Sequence, residues 1–129
     1  LRIAITNITF DGGVSTLNST DPDKMATNER VLARLAEILN RYSRYQIRIE
    51  GHARRINNDD PAAIEREEEE ILAPLSLARA ETVRQYLIDL GVDPNRLTAV
   101  GRGGRDPLYP HTDPENAWRN RRVEFILIR

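Results

Sequence analysis

The residues best suited to chemistry in this chain are arginines, whose guanidinium offers a rigid fork of donors that fits a carboxylate or phosphate. Arg79 lies in Leu75-Ser76-Leu77-Ala78-Arg79-Ala80. Ser76 reads as an N-cap and Leu77, Ala80, Val83, Leu87 and Leu90 follow at helical spacing, so the pattern predicts a helix over 76–90 with Arg79 in its first turn. A cation there adds its field to the unpaired N–H groups of the helix start. The pair would make a receptor for an anion. A second arginine pair stands in Asn120-Arg121-Arg122-Val123-Glu124, at the entrance of a strand, and beside Arg79 it would form a cluster able to hold an anionic group.

Other candidate chemistries are less well supplied. His52 and His111 are the only histidines, and neither stands in a metal-ligand spacing, so no metal site and no cofactor is implied. Ser76 with His52 could be paired as nucleophile and base, but no acid is placed to orient the histidine and no nucleophile elbow is present. Gly101-Arg102-Gly103-Gly104 lacks the third glycine of a dinucleotide loop, since Asp106 stands in its place, and no helix opens behind it. Its glycines are expected to form a tight turn.

The elements that must position these residues can be read from periodicity. Ile3, Ile5, Ile8 and Phe10 alternate with one slip of phase, which predicts a strand with a bulge near Asn7. Val31, Leu35, Ile38 and Tyr42, with Leu32 and Leu39 beside them, predict a helix of about four turns. Tyr45, Ile47 and Ile49 predict a strand with one buried face, closed by Gly51-His52. Asp60-Pro61 starts a short surface helix around 61–73 whose run from Glu67 to Glu70 is expected to be its solvated face. Strands follow at 96–100 and 123–128, with a loop rich in glycine and proline between them. Helices alternating with strands imply a sheet covered on one face.

Composition narrows the function. The 129 residues fit one domain, and 19 basic against 20 acidic residues leave a net charge of -1, which argues against a general nucleic-acid binder. There is no cysteine. No apolar run approaches the roughly 20 residues of a membrane helix, so membrane insertion by this domain is not expected.

Together the motifs resemble the OmpA-like C-terminal domain family, as in outer-membrane protein A, peptidoglycan-associated lipoprotein and MotB. The matching stretches are Ile8-Thr9-Phe10-Asp11, Ile47-Arg48-Ile49-Glu50-Gly51-His52, Leu75-Ser76-Leu77-Ala78-Arg79-Ala80 with Val83 and Leu87, Gly101-Arg102-Gly103 and Asn120-Arg121-Arg122-Val123-Glu124. They keep the family's order over nearly the whole chain. The resemblance implies an α/β (α+β) domain of βαβαββ type, with a mixed four-stranded sheet, helices on one face, and an inserted short helix around 61–73. It implies residues 1–129 as a single OmpA-like domain, excised from a longer envelope protein.

The function implied is non-catalytic binding of peptidoglycan, linking a periplasmic part of an outer-membrane or membrane-anchored protein to the cell wall. The ligand would be the stem peptide's diaminopimelate or another diamino acid, with envelope proteins as further partners. By that resemblance Arg79 takes the carboxylate, and Asp11, Asn120 and Arg121 or Arg122 line the cleft. The chain departs from the family at one site position. It reads Gly51-His52-Ala53-Arg54 where the family has G-H-T-D, so Arg54 replaces the aspartate that faces the ammonium. The segment 53–74 is also about ten residues longer than usual, and either Asp59 or Asp60 could serve as a substitute acid, or Glu67 to Glu70 could neutralise the arginines. The alternative reading is a divergent domain whose wall site is lost or altered and which acts as a protein-interaction or assembly module.

Overall fold

A computed structural model describes residues 2–10 and 22–129. Four strands form one mixed sheet in the order β1-β4-β2-β3, where β1 is Arg2–Thr9, β2 Gln46–Gly51, β3 Leu97–Gly101 and β4 Arg122–Ile128. Only β2 and β3 are parallel; β4 runs antiparallel to both β1 and β2. The expected slip in the first strand is present, as the pairing with β4 shifts register between Ile5 and Thr9.

Alternation divides the sheet's two faces. Ile47 and Ile49 of β2 and Val123, Phe125 and Leu127 of β4 enter the core, while Arg48 and Glu50, with Arg122 and Glu124, point the other way because successive strand residues face opposite sides. The core is closed by α1, Pro22–Arg41, through Leu32, Leu35, Ala36 and Leu39, and by α3, Ala73–Asp89, through Ala80, Val83 and Leu87. Proline at the first position of α1 costs no hydrogen bond, since that N–H would be unpaired in any helix start. The β-α-β-α-β-β order and the helices on one face are those implied by the resemblance.

The second half of the chain corrects one expectation. The helix over 61–73 exists as α2, Pro61–Glu67, with Asp60 capping the Ala62 amide, but it does not end before the next. A π-turn over Glu68–Leu72 joins it to α3 without a break. Ser76 is therefore not an N-cap; its hydroxyl donates to the Ala73 carbonyl and accepts from the Gly103 amide. Pro74 is tolerated because it sits in the first turn of α3, just beyond the π-turn, where the α-helical ladder has been reset. Arg79 accordingly lies in mid-helix, not in a first turn, and the argument from helix-terminal charge does not apply to it.

How closely α3 approaches the sheet is set by glycine. A β-carbon on Gly51 would lie 1.9 Å from the Ser76 carbonyl oxygen, and one on Gly101 would lie 2.7 Å from the Leu77 nitrogen. The helix thus rests on bare backbone at the carboxyl ends of β2 and β3. That contact fixes where Arg79 falls. Gly51→Ala should cost at least about 3 kcal/mol in urea unfolding, since neither backbone can give way cheaply. A loss below about 1 kcal/mol would show that the helix seats elsewhere.

Candidate functional site

Arg79 is fully buried, which is costly for a cation unless its donors and its field are answered. One guanidinium nitrogen donates to the His52 carbonyl at 3.2 Å, and the group lies 5.1 Å from the centre of the Phe10 ring, a cation–π arrangement. The side chain thereby ties α3 to the chain leaving β2 and to the end of β1. Burial, and then the nearby charge of Arg121, lower its pKa to about 10, so it stays cationic at neutral pH.

Arg79 forms one wall of a cavity of about 120 Å³ that is also lined by Arg54, Arg121, Glu67, Ile56, Ile71, Leu72 and Leu75. Arg121 is fixed there by donation from Nε to the Phe10 carbonyl at 3.1 Å. Arg54 extends from a backbone held on both sides: the Ala53 amide donates to the Gly103 carbonyl and the Arg55 amide to His111 Nδ1. The structure thus gathers Arg54, Arg79 and Arg121 from three distant parts of the sequence. Asp11 lies outside the described residues.

Asn120 and Arg122 do not share this cavity. Asn120 is buried, accepting from the Leu108 and Tyr109 amides and donating to the Tyr109 carbonyl. It shapes the loop before β4. Arg122 faces the opposite side of the sheet, as β4's alternation requires, where it pairs with Glu124 and donates to the Asp106 carbonyl at 2.9 Å. Of the two arginines at the strand entrance, only Arg121 is in the cavity.

The acidic run 67–70 is corrected too. Glu67 and Glu68 are buried rather than solvated, and each ties a loop to the helix. Glu67 accepts from the Ile56 and Asn57 amides, each at 2.9 Å, and from the Asn57 side chain. Glu68 accepts from the Gly104 amide at 2.9 Å and fills the space beside Gly103, whose φ of 61° and missing β-carbon allow the approach. Only Glu69 and Glu70 face water. A run of like charge reads as surface in the sequence, and nothing in it marks which two carboxylates have amides waiting for them.

A larger cavity, about 420 Å³, opens on the other face between Glu50, His52, Arg102, Asp106, Leu108, Arg122 and Glu124. Its charges answer one another: Glu50 accepts from Arg48 at 3.0 Å and Arg102 at 2.8 Å, and Glu124 from Arg122. His52 is buried there with Nε2 3.4 Å from a Glu124 oxygen, outside hydrogen-bond alignment. The Ser76 hydroxyl is taken up by the Ala73 carbonyl and the Gly103 amide, and no hydrogen bond joins it to the His52 ring, so the two form no nucleophile–base pair. Among the described residues no group of three or more histidine, aspartate or glutamate side chains could hold a metal ion.

With the site described, relatives can be compared. Residues 9–121 match the OmpA family, and the chain belongs to that family. It is 39% identical over 59 residues to the peptidoglycan-binding protein ArfA of Mycobacterium tuberculosis, covering 46% of this chain and 18% of that protein. It is 32% identical over 103 residues to the peptidoglycan-associated lipoprotein of Brucella melitensis, covering 79% of this chain and 55% of that one. Among solved structures, a MotB-like protein from Desulfovibrio vulgaris superposes with a TM-score of 0.71 at 33% identity, covering 100% of this chain and 72% of that chain. The chain thus spans about half or less of the length of these two sequence relatives.

Burial, followed by the charge of Arg122, lowers the His52 pKa to about 4, against the opposing pull of Glu124 and Glu50. A base whose pKa falls on folding binds fewer protons folded than unfolded between about 4 and 6.5, so stability is complete above that window and declines as pH falls through it. His111 shifts the same way by burial. Urea midpoints should therefore drop between pH 7.5 and 5, and an NMR titration of the His52 ring should show its midpoint well below 6. A His52 midpoint near 6.5 would contradict this environment.

Proposed function

We propose that this domain binds peptidoglycan without catalysis, holding a stem peptide in the cavity formed by Arg54, Arg79 and Arg121. The observation that carries the reading is the fully buried Arg79 guanidinium on the wall of that cavity. A buried cation presented to an open cavity is a strong receptor for a carboxylate, because the charge-assisted fork is little screened by water. Phe10 and the His52 carbonyl hold it in one orientation. Arg121 lines the same cavity and can add a second donor to the bound group.

Membership of the OmpA family, and two relatives whose names state binding to or association with peptidoglycan, support the same partner. The site residues are then Arg79 and Arg121, with Arg54 at the position where the family's aspartate is expected. The domain would act in the periplasm as the wall-contacting part of an envelope protein. No helix among the described residues is long and apolar enough to cross a membrane. A protein-interaction role is the second reading, favoured by Ile56 and Ile71, which are largely exposed at the rim.

Purified sacculi should carry the unmodified chain down on centrifugation. Arg79→Ala, with folding checked by circular dichroism, should need at least about tenfold more sites for half-maximal binding, a loss of about 1.4 kcal/mol or more. Because Arg79 also ties α3 to the end of β2, a second variant separates the roles: Arg121→Gln, at a half-buried position, should weaken binding severalfold in a chain of near-normal melting temperature. Folded variants that sediment as well as the parent would remove this cavity from wall binding.

A further inference from the structure

We propose that the cavity takes a ligand presenting carboxylates to both Arg79 and Arg54, an anionic stem-peptide fragment, rather than one that presents a carboxylate to one end and an ammonium to the other. The proposal rests on the peptidoglycan reading above and names the charge pattern that the site selects.

Three arginines and one glutamate line the cavity. Glu67 is the only carboxylate on its described wall, and that carboxylate already accepts three N–H groups, two from backbone amides and one from Asn57. A carboxylate offers about four acceptor positions, so Glu67 retains little capacity for an ammonium. It cannot turn inwards without abandoning the loop that it holds.

Arg54 supplies the positive evidence. Its Nε is buried without a hydrogen-bond partner, although burying an unpaired charged donor is costly. The backbone on either side is fixed by the Gly103 carbonyl and by His111, so the side chain is directed rather than loosely draped. An ammonium placed beside it would be repelled, whereas a carboxylate would satisfy the donor and gain a charge-assisted bond.

The remaining wall is aliphatic. Ile71, Leu72 and Leu75, from the π-turn and the first turn of α3, face the cavity together with Ile56. The wall thereby supplies an apolar side against which the methylene chain between two carboxylates can rest.

The test is titration calorimetry of the 129-residue chain with three synthetic peptides built on L-alanyl-γ-D-glutamyl-diaminopimelate: unmodified, acetylated on the side-chain amine, and amidated on its carboxylates. Acetylation should leave affinity within about threefold, whereas amidation should weaken it at least about tenfold. Arg54→Asp should reverse that order, and Arg54→Gln should reduce the penalty of amidation. Acetylation that abolishes binding while amidation is tolerated would overturn the proposal. If that happens while the chain still sediments with sacculi through Arg79, charge selection fails and wall binding stands. If neither sacculi nor any of the three peptides bind, the wall-binding reading fails and the proposal falls with it.

Discussion

The cavity depends on one buried cation. Arg79 has no exposed surface, yet its charge is retained and directed, because the His52 carbonyl, the Phe10 ring and the cavity share its surroundings. Burying an arginine is favourable only where geometry answers its donors. Here the geometry is set by backbone contact, with Gly51 and Gly101 admitting α3 onto the strand ends. Had either carried a β-carbon, the helix would stand off the sheet and the guanidinium would miss the His52 carbonyl. The placement of the buried cation thus follows from a packing constraint.

The inserted segment acts as scaffolding for the same site. Its π-turn lets the chain pass from α2 into α3 as one continuous helix. Where α2 meets that turn, Glu67 holds residues 56–57 and Glu68 holds Gly104. Glu68 also stands 3.5 Å from Arg105, so the loop after β3 is tied to the helix by charge as well as by amides. The two cavities differ in the same terms. On the far face Glu50 and Glu124 each have an arginine within reach. On the helix side the cations outnumber the one committed carboxylate among the described residues.

Much of this fold was legible from periodicity, because the residues of β2, β4 and α1 that enter the core recur at the matching spacing. The bulge in β1 was legible for the same reason: a slip of phase in Ile3, Ile5, Ile8 and Phe10 is what an extra residue in a strand writes. The start of α3 was not. Ser76 is a good N-cap by type and Pro74 a usual helix boundary, yet a π-turn is set by hydrogen bonds five residues apart and leaves no periodic trace. Arg79 was found as a functional candidate through the wrong local argument, since its merit is burial and not a helix terminus. The separation of Arg121 from Arg122 followed from strand alternation, although which of them faced the helices required the register of β4.

The most direct test of the central claim is a two-dimensional NMR titration that follows the Nε–Hε signals of the arginine side chains as a soluble peptidoglycan fragment is added. Arg79, Arg54 and Arg121 should shift together and saturate at one concentration, while Arg102 and Arg122 on the far face stay in place. Saturable shifts confined to Arg102 and Arg122, or none on Arg79, would place the ligand elsewhere and contradict it.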